Sequence, residues 1–182
     1  MSNGLDERYF KFTILGHLIT GLCALLFLVA AGLFIVLLFK PLYYFDISYL
    51  NIVQNSGYSK EEIILNYDSL INWCMPWVKS KFELATFPSS ANAIIHFKEV
   101  KAIFNIVFTV GLFSAISLLV LSFRALKNKM RKRFIFSGSI TLAIPLILGG
   151  YVALDFNRAF VFFHEIVFRN ELWIFNYKTD PI

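Results

Sequence analysis

The chain has little with which to do cofactor, metal or serine chemistry. It contains two cysteines, five prolines and nine glycines in 182 residues. Cys23 lies in the middle of an apolar run and Cys74 in a polar segment, so the two belong at different depths and are not expected to pair. Neither has metal-ligand spacing, and Leu22 stands where a lipoprotein acceptor cysteine wants a small neighbour. Both read as small buried hydrophobes. There is no H-E-x-x-H pair, so no metal site is expected, and no P-loop, Gly-rich dinucleotide turn or G-x-S-x-G elbow. Repeats and low-complexity tracts are absent too. No cofactor is implied.

Charge is scarce and unevenly placed. Only 16% of residues are charged, against 58% hydrophobic and a mean hydropathy of +0.66, too apolar for a soluble domain of this size. Most of the net charge of +5 sits in one run without acids: Arg124, Lys127, Lys129, Arg131, Lys132 and Arg133. That run lies between two apolar stretches, which is the pattern of a cytoplasmic loop and not of a nucleic-acid surface.

Three apolar stretches fit an all-α membrane protein forming a single integral domain over 1–182. The spans are about 12–39, 103–123 and 134–154, with Pro145 and Gly149-Gly150 allowing a kink in the third. The first is too long for a signal-peptide core and ends in Lys40-Pro41 without a cleavage-like site. Placing the basic loop 124–133 in the cytoplasm puts the N-terminus inside and leaves segments 40–102 and 155–182 outside.

The outer segment is expected to be mostly helical. Ser59-Lys60-Glu61-Glu62 reads as a capping box, followed by Ile63, Ile64, Tyr67, Leu70, Ile71 and Cys74 at helical spacing and a stop near Met75-Pro76. Pro88-Ser89-Ser90 reads as the start of a helix that continues into the second span, with the serines as caps. Tyr43, Tyr44, Tyr49, Trp73 and Trp77 suit the lipid headgroup level.

Chemistry centres on His96 and His164, which this topology places on the same outer side. Asn92, His96 and Glu99 share a helical face, and Glu99 is placed to orient the imidazole. His164 follows the third span by ten residues, in a Phe-rich segment that folds back along the interface, with Glu165 and Arg169 at pairing distance. The plain alternative for both is an interfacial histidine without chemistry. His17, near the cytoplasmic edge of the first span, reads as a satisfied or snorkelling residue. Histidine, whose unperturbed pKa is about 6.5, suits acid–base attack on an ester at the glycerol level.

At these residues the chain resembles a family of small integral membrane proteins of Gram-positive bacteria. FPSSANAIIHFKEVKAIF is similar to the family's segment before its second span. FVFFHEIVFRNELWIFNYKTDPI is similar to its second signature, roughly F-H-x-x-x-F-x-N-x-x-W-x-F followed by Asp-Pro-Ile. Characterised members are lipoprotein intramolecular transacylases. The resemblance implies transfer of the sn-2 acyl chain of a diacylglyceryl lipoprotein to the α-amine of its N-terminal cysteine. It implies His96 and His164 as the catalytic pair, and Glu99, Lys101, Asn170, Trp173 and Asp180 as supporting residues. It implies a lipoprotein substrate and membrane lipid as partners and no particular oligomeric state. The family signature leads into a fourth span, which the expected three-span chain lacks. Two other readings stand beside it: a membrane accessory protein whose aromatic outer segment docks a partner, and a lipid hydrolase using the same histidines and water.

Overall fold

The computed structural model describes residues 3–128 and 130–181, with side chains from residue 14 onward; Lys129 of the basic run lies outside them. All regular structure among the described residues is helical: α1 Asn3–Leu38, α2 Pro41–Tyr49, α3 Ile52–Ser56, α4 Lys60–Cys74, α5 Ala91–Lys127, α6 Arg131–Leu154 and α7 Phe156–Phe168. Three helices are long and apolar enough to cross a bilayer: Ile14–Leu38 of α1, α5 and α6.

The 37 residues of α5 amount to about 55 Å at 1.5 Å per residue. A hydrocarbon core of about 30 Å takes up only some 20 of them. The segment 91–102, which carries Lys98, Glu99 and Lys101, therefore lies beyond the apolar stretch that starts at Ile103. The basic residues expected in a loop ride largely on helix ends, because α5 continues to Lys127 and α6 begins at Arg131. Helix α6 runs without interruption past Pro145.

The chain divides into two compact units. The first comprises residues 1–32 and 107–159. Its helices present apolar side chains outward, with Leu119, Phe123 and Leu146 at least 70% exposed, as for a surface solvated by lipid. Inside, small and hydroxylated residues hold the helices together. Ser137 Oγ donates to the His17 carbonyl at 2.9 Å, and Thr141 Oγ1 donates to the Gly21 carbonyl at 3.3 Å. Gly111 is required by contact: a Cβ there would collide with the Cβ of Ala30. The His17 ring packs near Phe136, at 5.6 Å.

The second unit, residues 33–106 and 160–182, contains α2, α3, α4 and the first turns of α5. Pro41 at the first position of α2 supplies the φ that a helix start needs. Ser59 caps α4 by accepting from the Glu62 N–H at 3.2 Å. The expected reciprocal bond is not made; Glu62 Oε1 instead accepts from Thr86 Oγ1. The apolar face of α4 packs into a core of Trp73, Cys74, Phe82, Leu84, Ala93 and Phe97. Trp73 is therefore not a headgroup anchor: its ring meets Phe82 edge-on at 4.9 Å and its Nε1 donates to the Ser80 carbonyl. Trp77 and Tyr49 remain exposed. Tyr44 donates to Asp68 at 2.7 Å, and this bond pushes its phenol up to about 12. Lys40 completes the cluster with an ion pair to Asp68 at 3.2 Å.

A polar residue inside the apolar stripe of α4 shapes the following loop. Asn66, 2% exposed, accepts through Oδ1 from the N–H groups of Thr86 and Phe87 and donates through Nδ2 to Thr86 Oγ1. It thus stands in for a strand partner for a loop that has none.

Candidate active site

Both histidines fall within the second unit. His96 is the sixth residue of α5 and is 5% exposed; His164 lies on α7 and is half-buried. Their ring centroids are 6.1 Å apart, with the planes inclined by 31°. Aromatic rings surround them. Phe168 lies 4.5 Å from His96 and 5.3 Å from His164, Phe175 lies 5.6 Å from His96, and Trp173 lies 4.8 Å from His164.

The two imidazoles are held differently. His164 Nδ1 lies 2.7 Å from the Phe160 carbonyl one turn earlier in α7. A carbonyl only accepts, so Nδ1 carries the proton and the Nε2 lone pair is left for chemistry. His96 Nδ1 is buried and has no hydrogen-bond partner among the described residues. An unpaired buried polar atom costs about 1–3 kcal/mol. Such atoms are rare in folded proteins and recur at functional sites. Burial, then the neighbouring His164, pushes the His96 imidazole below its ordinary value, while Glu99 pulls the other way. Its neutral form is thereby favoured at neutral pH.

Glu99 does not hydrogen-bond to His96. It binds the segment after α7: Asn170 Nδ2 donates to both Glu99 oxygens, at 3.1 and 3.2 Å, and to the Phe168 carbonyl at 3.1 Å. The rest of Asn170 organises its own loop. Its Oδ1 accepts from the Leu172 N–H, and its backbone carbonyl accepts from Trp173 Nε1 at 2.8 Å. One amide thus ties α5, the end of α7 and the Trp173 ring together. Arg169 leaves α7 in a left-handed conformation, φ 56°, so the expected pairing with Glu165 along a continuing helix is not made. Asn92 is exposed and takes no part.

Lys101 and Asp180 act on backbone. Lys101 Nζ donates to the carbonyls of Trp73 and Val78 and sits 4.3 Å over the Trp73 ring, anchoring the end of α4 to α5. Asp180, 4% exposed, accepts from the Ser90 N–H at 2.6 Å, while Ser90 Oγ accepts from Ala93 N–H. Ser90 is the cap of α5, and Asp180 supplies the carboxylate that a capping box would take from the helix itself. Ser89 Oγ, the other expected cap, is buried without a hydrogen-bond partner among the described residues.

The family model of the lipoprotein intramolecular transacylase Lit matches residues 18–182. The chain belongs to the Lit family.

Solved structures agree with this membership. The chain is similar to the membrane integral lipoprotein intramolecular transacylase Lit from Bacillus cereus, with a TM-score of 0.89 and 31% identity over 94% of this chain and 80% of that one. It is also similar to two variants of the same protein. The one with a histidine replaced by arginine gives a TM-score of 0.83 and 30% identity over 98% of this chain and 81% of that one. The one with a histidine replaced by alanine gives 0.82 and 30% over 96% and 80%. No curated protein sequence matches. As a Lit-family chain with three bilayer-length helices, the protein is a multi-pass membrane enzyme of the transacylase class.

Within this Lit-family site, Phe160, Phe168 and Phe175 are neighbours of the histidines that sequence reasoning did not single out. In a chain with 21 phenylalanines, no pattern separates those that wall a site from those that face lipid. Asn66 was legible in principle, as a polar residue at core spacing between Ile63 and Leu70.

Proposed function

We propose that the protein moves the sn-2 acyl chain of a diacylglyceryl lipoprotein to the α-amine of the lipoprotein's N-terminal cysteine, with His96 and His164 as the catalytic pair. The observation that carries this is the approach of the two rings to 6.1 Å inside an aromatic enclosure. That separation is short enough for both imidazoles to address one reacting centre.

The reaction forms one C–N bond and breaks one C–O bond, and a proton passes from nitrogen to the glycerol oxygen. An α-amine with a pKa of about 7.7–8.0 is roughly one quarter neutral at pH 7.4, so its deprotonation demands little. His164, whose Nε2 is left basic by the Nδ1 bond to Phe160, takes the proton from the attacking amine. His96 donates a hydrogen bond to the tetrahedral oxyanion, in surroundings dry enough to strengthen it. The proton held on His164 then goes to the departing sn-2 oxygen. Ester-to-amide exchange runs downhill and uses no donor cofactor. Both reacting groups belong to one molecule, so most of the rate gain comes from holding them in attack geometry.

Glu99, Lys101, Asn170, Trp173 and Asp180 position the pair without touching substrate. The basic residues from Arg124 to Arg133 favour a cytoplasmic location for that end of α5 and α6, and so an outer-leaflet site.

The test is mass spectrometry of lipoprotein N-termini from a host that makes only diacylglyceryl forms. Expression of the protein yields N-acyl, S-monoacylglyceryl cysteine. His96→Ala and His164→Ala each lower this product by about 10²–10⁴, the usual worth of general acid–base catalysis. Unchanged diacylglyceryl termini with a correctly inserted wild-type protein refute the proposal, and free fatty acid without N-acylation points to hydrolysis instead.

A further inference from the structure

A second concavity lies within the same unit, and neither histidine lines it. Its volume is about 460 Å³. Leu84 and Asp180 are buried at its floor, Tyr43 and Tyr67 form a wall, and Ser56 and Tyr177 stand at the rim, Tyr177 being 77% exposed. We infer that this tyrosine-lined cavity is a subsite for the peptide that follows the acylated cysteine of the substrate; the inference rests on the transacylase reading above.

Position along α5 is the first argument. Asp180, at the cavity floor, is bonded to Ser90, the cap of α5. His96 lies six residues further along the same helix, about 9 Å at 1.5 Å per residue. The apolar stretch starts beyond His96, at Ile103. A substrate reacting at His96 must send its acyl chains toward the apolar stretch and its polypeptide the other way, toward Ser90. An extended peptide advances about 3.3 Å per residue, so the third residue after the cysteine arrives at the cavity.

The lining is the second argument. An acyl chain needs a continuous apolar path, whereas here Ser56 and the tyrosine hydroxyls interrupt it. The hydroxyls of Tyr43, Tyr67 and Tyr177 make no hydrogen bond among the described residues, so they are available to peptide carbonyls and N–H groups. Tyrosine joins apolar ring area to one hydrogen-bonding tip at small entropic cost, which is why it recurs on surfaces that grip varied polypeptides. Tyr43 stacks on Tyr67 at 3.9 Å, which holds this wall in place. The one charged residue in the lining, Asp180, is buried and already accepts from the Ser90 N–H and Thr179 Oγ1, so it is not presented to a cationic side chain, and an uncharged peptide suits the site.

Two synthetic substrates decide it: a diacylglyceryl cysteine amide, and the same lipid on a cysteine followed by five uncharged residues. The longer one shows a KM about tenfold lower with the wild-type enzyme. Ser56→Trp, which fills the rim, raises KM for the longer substrate about tenfold and leaves kcat and the short substrate unchanged. Tyr177→Ala, at an exposed position, shifts KM in the same direction. A benzophenone on the third residue after the cysteine photolabels the wild-type cavity wall at Tyr43, Tyr67 or Tyr177. Equal KM values for both substrates, equal effects of Ser56→Trp on both, or labelling of the wall by a photoreactive acyl chain in place of the peptide overturns the inference. Absence of N-acylated product from either substrate with the wild type sinks the transacylase reading itself, and the subsite falls with it.

Discussion

Replacing Asn170 with aspartate reverses the sign of the contact that joins α5 to the end of α7. The Asn170 amide now donates to both oxygens of Glu99, at 3.1 and 3.2 Å. Asn170→Asp sets a carboxylate against a carboxylate at that separation. At an effective dielectric of about 20, two unit charges 3.1 Å apart repel by about 5 kcal/mol. The protein escapes part of this by binding a proton between them. Protonating an ordinary carboxyl of pKa about 4.3 at pH 7.4 costs about 4 kcal/mol, and at pH 5 only about 1 kcal/mol. The variant is therefore destabilised by about 4 kcal/mol at pH 7.4, and the defect shrinks by roughly 1.4 kcal/mol per unit as the pH falls. In thermal unfolding this is a loss of roughly 8–16 °C at pH 7.4 and a few degrees at pH 5, on the scale of about 2–4 °C per kcal/mol for a chain of this size. N-acylation at pH 7.4 falls at least tenfold, because Phe168 at the end of α7 and Trp173 in the loop beyond, which border the two histidines, are both tied to Asn170. Glu99→Gln added to Asn170→Asp restores a donor–acceptor pair with its direction exchanged, and recovers most of both losses. A variant with unchanged unfolding at both pH values, or a double variant no better than the single, refutes the reasoning.

Burial first, and His164 second, hold His96 below the ordinary histidine value, and His164→Gln moves its NMR-detected pKa upward toward that value. Below about pH 6.5 the unfolded chain binds the proton that folded His96 resists, so its contribution to stability is lost as the pH falls and is complete above that value. Cys74, whose buried thiol is pushed up to about 11 despite an opposing pull from Lys101, stays unlabelled by maleimide at pH 7 in the folded protein and reacts on denaturation. Ready labelling of the folded protein refutes the burial assigned to it.

What could be read from the residues, and what could not, follows from the range of the forces involved. The three long apolar helices, the Ser59 cap and the helical spacing of α4 express local periodicity and hydropathy, which a chain displays along its length. The approach of His96 to His164 is a contact across 68 positions, and no local pattern encodes such a contact; resemblance and topology named both residues and put them on one side, but left open whether they meet. Glu99 was expected to orient the imidazole because both share a helical face, yet its partner is Asn170, 71 positions away. Lys101 and Asp180 stood out by resemblance alone, and their roles of holding two carbonyls and capping a helix exist only in three dimensions. Trp73 was misplaced because an aromatic near a membrane segment looks the same whether it meets headgroups or a core.

The bond between Asp180 and Ser90 joins residues 90 positions apart. On a ribosome, the helix that bears His96 emerges long before the carboxylate that caps it. At roughly 5–20 residues per second the delay is about 5–18 s, during which α6 must also enter the bilayer. A nascent chain therefore carries His96 on an unfinished helix until residue 180 has emerged.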